Sequence, residues 1–130
     1  MLQQFVGSIK KYFYDRNQVS IYDKELPETI NIPSMYFPQP NVLPLPYTKG
    51  SYQNTYTMNV QIIEKDTPTA MTIAEEIAQT IRENKYQIPL VDEDGTASEK
   101  YITFSMVACE RMEEGIVQVR LEWEKEFNYN

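Results

Sequence analysis

SYQNTYTMNVQIIEKD, residues 51–66, decides the fold. Tyr52, Tyr56, Met58, Val60 and Ile62 fall on alternate positions, with Ser51, Gln53, Thr55, Thr57, Asn59 and Gln61 between them. Only a strand places every second side chain on one face, so residues 51–65 read as a long β-strand with one apolar and one wet side. At Asp66-Thr67-Pro68 the period changes from two to 3.6. Asp66 or Thr67 caps a helix over 68–84, and Pro68 sits where its missing N–H costs nothing. Met71, Ile73, Ala74, Ile77, Ala78 and Ile81 make its apolar stripe, Glu75, Glu76, Gln79, Arg82 and Glu83 face water, and Asn84 ends it.

Downstream, Tyr86–Val91 reads as a short strand and Asp92-Glu93-Asp94-Gly95 as a turn. The Asp-x-Asp-Gly spacing resembles part of a calcium loop, but the remaining ligands are out of register, so a solvated turn is the better reading. Residues 101–111 read as a strand with Ile102, Phe104, Met106 and Ala108 on one face. Tyr101, Thr103, Ser105, Val107 and Cys109 take the other. Glu113-Glu114-Gly115 is a hairpin turn. The returning strand, 116–127, puts Val117, Val119, Leu121, Trp123 and Phe127 on one face, and Gln118, Arg120, Glu122, Glu124 and Glu126 on the other. Three acids on one strand face require water or a basic partner.

Upstream, Leu2, Phe5, Val6, Ile9, Tyr12 and Phe13 recur at helical spacing over 2–16, with Asn17 as a left-handed stop. Val19, Ile21 and Tyr22 suggest a short strand. From Pro27 to Pro46 the chain carries six prolines in twenty residues, so neither a helix interior nor a central strand survives there. The stretch is nonetheless apolar, with Ile30, Ile32, Met35, Tyr36, Phe37, Val42, Leu43, Leu45 and Tyr47. A linker would be polar. Two readings stay open: short edge strands with an extended, proline-stiffened arm at about 27–50 that docks on a partner, or a loop that folds back on its own core.

The whole is expected to be one domain of 130 residues, α+β, with a mostly antiparallel sheet of four or five strands and two helices on one face. The purely apolar runs, a few residues each, are too short to span a bilayer, and the opening MLQQFVGSIKKYF lacks the pattern of a secretory signal. The net charge of −7 argues against a conventional nucleic-acid binder, though not against a wall past which DNA slides. Histidine is absent, which removes the commonest general base and metal ligand. Gly7, Gly50, Gly95 and Gly115 are isolated and form no phosphate-binding loop, and Cys109 reads as a half-buried packing thiol. No catalytic residue, cofactor or metal site is expected. Ten tyrosines against one tryptophan fit both strand composition and protein–protein contact.

Three segments, LQQFVGSIKKYF, YTMNVQIIEKDTPTAMTIAEEIAQTIREN and YITFSMVACERMEEGIVQVRLEWEKEF, give the chain a layout that resembles the tail-terminator and tail-completion (head–tail joining) proteins of tailed bacteriophages. The composition looks like that of a phage, prophage or phage-tail-like particle of a Gram-positive host. The resemblance implies a virion protein without catalytic residues that forms a ring, commonly of six subunits. The ring would cap the head-proximal end of the tail tube, stop polymerisation and meet the head connector and, in contractile particles, the sheath. Its expected partners are copies of itself and the tube protein, with no membrane and no specific nucleic-acid binding. A neck adaptor or tube subunit of the same particle is the nearest alternative, and a small-molecule-binding domain is a more distant one. The residues expected at subunit or partner contacts are Tyr36, Phe37, Leu43, Leu45, Tyr47, Tyr52, Tyr56, Glu122, Glu124 and Glu126.

Overall fold

In the computed structural model, which describes residues 1–129, the elements run α1 (Leu2–Arg16), β1 (Ser20–Tyr22), β2 (Ser34–Tyr36), β3 (Asn41–Thr48), β4 (Ser51–Ile63), α2 (Thr67–Glu83), β5 (Gln87–Val91), β6 (Ala97–Glu113) and β7 (Ile116–Asn128). The alternating strand β4 is the spine. It pairs antiparallel with β7 along its whole length, from Ser51 opposite Asn128 to Ile63 opposite Ile116. Tyr56, Met58, Val60 and Ile62 therefore lie beside Trp123, Leu121, Val119 and Val117, and all eight are buried. The opposite face carries Gln53, Thr55, Thr57, Asn59 and Gln61, all half-exposed. A strand with this division must have one side covered, and the two helices cover it.

Helix α1 sends Phe5 edge-on against Tyr56 and Trp123, with ring centroids 5.3 and 5.6 Å apart. Ser8 joins it to β5: the Val91 N–H donates to the Ser8 hydroxyl at 2.9 Å, and that hydroxyl donates to the Gln4 carbonyl. In α2 the side chains of Ala70, Ala74 and Ala78 are fully buried, which lets the helix approach the sheet closely. Its start is capped by Asp66, whose carboxylate accepts the Thr69 N–H at 2.8 Å. The Tyr12 and Thr80 hydroxyls share a 2.8 Å hydrogen bond that links the helices. Asn17 ends α1 at φ −148°, in extended rather than left-handed backbone, with its N–H on the Phe13 and Tyr14 carbonyls.

The β6–β7 turn is locked to the start of α2. The Gly115 N–H donates to Thr67 Oγ1 at 3.0 Å, and the Glu64 N–H donates to the Gly115 carbonyl at 2.8 Å. Gly115 has φ +80°, and a Cβ there would run into the Glu64 carbonyl, so both conformation and space require glycine.

The class is α+β as expected, but the sheet has seven strands and is mixed. Its order is β1-β2-β4-β7-β6-β5, with β3 also on β4, and β1 pairs parallel with β2. The added strands come from the proline-rich stretch. The chain between β1 and β2 is long enough to return in the same direction, which a parallel pair requires. β2 is internal rather than an edge, because Pro33 and Pro38 flank it instead of interrupting it.

The register of β6 against β7 slips twice, at Ser105 and again at Met112, and the first slip breaks the expected alternation. Phe104 lies opposite Trp123 and Met106 opposite Glu122, so Ser105 is an extra residue. Past this bulge the faces exchange. Ile102, Phe104 and Val107 are buried, and Met106 is turned outward.

Candidate assembly interface

β2 and β3 run along the same edge of β4 as one broken strand. From Tyr36 opposite Gln61 to Asn41 opposite Thr57, the broken strand advances five positions while β4 advances four. The surplus falls at Phe37-Pro38-Gln39-Pro40, where two residues lack the N–H that a ladder needs. The two pieces differ in burial. Ser34 and Met35 are fully buried, whereas every residue of β3 is exposed.

β3 and the first half of β4 form a hairpin that carries apolar side chains into solvent: Val42 is 42 % exposed, Leu43 57 %, Leu45 49 % and Tyr47 59 %. Register assigns their faces. Val42 lies opposite Tyr56 and shares the helix side of the sheet with Pro44 and Pro46. Leu43 and Leu45 lie opposite Thr55 and Gln53, whose partners on β7 are Glu124 and Glu126. The outer side of the hairpin is therefore a pair of leucines beside a row of carboxylates. Within that row Glu122 pairs with Arg120 at 3.3 Å, Glu124 accepts the Ser105 hydroxyl at 3.0 Å, and Glu126 is exposed. On the helix side Tyr52 stacks on Phe127 at 5.3 Å, with Tyr129 at 5.4 Å, as an aromatic patch beyond the packed core.

Of the residues expected at contacts, Leu43, Leu45, Tyr47, Tyr52, Glu124 and Glu126 meet in this hairpin region, and Glu122 lies at its base. Phe37 and Tyr56 do not belong to the surface. Phe37 is fully buried and sits edge-on to Phe13 at 5.9 Å, and Tyr56 stacks on Trp123 at 5.2 Å with 4 % exposure. Tyr36 is half-buried, and its hydroxyl donates to the Lys24 carbonyl. Val42, and Met106 and Met112 on β6, which are 41 % and 47 % exposed, were not among the residues expected at contacts. A signal for the hairpin was present: Pro44 and Pro46 are two apart, so on a strand both nitrogens point to the same edge.

The one thiol, Cys109, is half-buried. Burial pushes the Cys109 pKa up to about 12, and the neighbouring Glu75 carboxylate adds to the shift. Arg82 bonds Glu75 and holds that carboxyl below its ordinary range. Among the described residues no helix is long and apolar enough to cross a membrane.

No family model matches the chain. It is 31 % identical over 124 residues to the phage-like element PBSX protein XkdJ of Bacillus subtilis strain 168, covering 95 % of this chain and 85 % of that protein. The chain belongs to the XkdJ family. A second member, the uncharacterized protein YqbJ of the same strain, is 30 % identical over 128 residues, covering 98 % of this chain and 88 % of its own. Among solved structures, a chain from the virion of a native gene transfer agent particle aligns over 92 % of this chain and 90 % of its own, with TM-score 0.48 and 13 % identity. The family therefore includes a protein of a phage-like element, as the layout of the sequence led one to expect.

Proposed function

We propose that the protein is a structural component of a phage or phage-tail-like particle. In this reading it forms a ring that closes the head-proximal end of the tail tube, ends tail growth and presents a face to the head or collar. The observation that carries the proposal is the β3–β4 hairpin. A member of a phage-element family holds Leu43, Leu45 and Tyr47 in water on the β3–β4 hairpin, where they gain nothing unless another protein covers them. Pro44 and Pro46 limit the hairpin's freedom before docking, which lowers the ordering cost of association. Its partners are copies of itself and the tube protein, with sheath and head connector as further neighbours. The net charge of −7 suits a wall that DNA passes without sticking.

Negative-stain microscopy and light scattering of the isolated protein at micromolar concentration test this reading. Closed rings support it. Open filaments instead identify a tube subunit, because a heterologous contact that does not close propagates. A stable monomer whose melting temperature rises with a metabolite would replace it with a small-molecule-binding domain.

A further inference from the structure

Besides the outer sides of the terminal strands β1 and β5, the sheet leaves two margins unpaired among the described residues. β5 lies along β6 only over Ala97–Thr103, and among the described residues no strand pairs with that side of β6 beyond Phe104. The Val107 carbonyl identifies the groups that point there, because it accepts the Arg82 Nη2–H at 3.0 Å. Backbone groups alternate along a strand, so Val107, Cys109 and Arg111 all direct N–H and C=O away from β7. The other margin is β3, which is paired on its β4 side alone. Its ladder continues through Pro44 and Pro46, so their nitrogens point away from β4. The outward row of β3 at Val42, Pro44 and Pro46 thus offers three carbonyls and one N–H.

These margins match in three ways. The first is direction. β3 is antiparallel to β4, β4 to β7 and β7 to β6. A second copy in the same orientation would therefore lay its β3 antiparallel against β6. The second is hydrogen bonding. β6 supplies the N–H groups that the β3 carbonyls need, while the Val107 carbonyl, which a facing proline could not serve, is already occupied by Arg82. The third is apolar surface. Leu43 and Leu45 lie on the outer side of the sheet, and the exposed Met106, opposite Glu122, lies on that same side.

We infer that β3 of one copy adds to the open edge of β6 of the next, so that one sheet continues from subunit to subunit. This rests on the ring reading and assigns its contact. The contact is heterologous, and its repetition generates a ring when the rotation closes.

Cysteine cross-linking tests the junction. Four variants each carry one cysteine from Leu43 or Leu45 and one from Met106 or Met112, with the unaltered chain, holding only Cys109, as control. Under mild oxidation at least one pair is expected to give a ladder of disulfide-linked species larger than dimer, while variants with only one added cysteine give none. Circular dichroism and light scattering on each variant before oxidation establish that it folds and assembles. Rings that yield no cross-link with any of the four pairs overturn the strand junction and leave the ring standing. A dimer formed by the Leu45→Cys variant alone means a two-fold contact and overturns it as well. An unaltered chain that is itself a monomer, with no cross-linked product from any pair, overturns the junction and the ring together.

Discussion

The two halves of the proline-rich stretch have similar composition and opposite fates. In the first half, Met35 and Phe37 are fully buried, because α1 lies over them and Phe13 meets Phe37 edge-on. In the second half, Leu43 and Leu45 alternate along β3 and Tyr47 sits at an irregularity near its end, and all three are exposed among the described residues. Proline content does not separate the two. Pro33 and Pro38 bracket β2, and Pro44 and Pro46 sit within β3 at positions that ask nothing of the missing N–H. What separates them is cover. One half completes the core of its own chain, and the other leaves its apolar side chains exposed, to be covered by a second chain in the proposed reading.

That contrast can be broken in several ways. The largest effect is expected inside. Phe37→Ala removes a fully buried ring and should cost about 3–5 kcal/mol in denaturant-induced unfolding. A loss as small as that of a surface change would mean that the first half is not core. Hydrogen exchange should divide the halves next. The Leu43 and Leu45 amides, bonded only within a projecting hairpin, should exchange at least about tenfold faster than the Met35 amide, which lies between two strands. Equal protection would show the hairpin already covered.

A smaller effect is expected at the other end of β4, where Asp66 starts α2. Hydrogen bonds from the Thr69 side chain and N–H hold the Asp66 carboxyl below the ordinary carboxylate range. Its contribution is therefore complete above the unfolded-state pKa and is lost as pH falls through the lower folded value. Asp66→Ala should lower the melting temperature at neutral pH by less than Phe37→Ala does, and the gap from the parent should narrow below about pH 4. The smallest change should come from the exposed half. Leu43→Ser with Leu45→Ser should alter unfolding free energy by no more than about 0.5 kcal/mol while abolishing assembly seen by light scattering. Intact assembly in that variant would remove the hairpin from the interface.

Much of this was legible in the residues. Tyr52 to Ile62 announced β4 by period, Asp66 and Pro68 announced the start of α2, and Glu113-Glu114-Gly115 announced the turn between β6 and β7. What escaped was what depends on partners distant in sequence. The Ser105 bulge exchanges the faces of β6, and alternation alone cannot reveal it because Met106 and Val107 are equally apolar. Phe37 and Tyr56 looked like interface residues because an aromatic side chain near prolines reads the same whether its cover is α1 or another chain. The prolines excluded a central strand and left two readings open, edge strands with an arm or a loop folded back; β3 is an edge strand, because the nitrogens of Pro44 and Pro46 face an open edge. The parallel β1–β2 pair left no local mark at all.

The thirteen-residue pairing of β4 with β7 has a mechanical side. A tug on the tip at Lys49-Gly50 along the strand axis would load every rung of that ladder in shear at once, whereas a tug across it would peel the rungs one by one. The projection is therefore stiffest along its own length, the direction in which a neighbour seated at its end would push or pull as a particle strains.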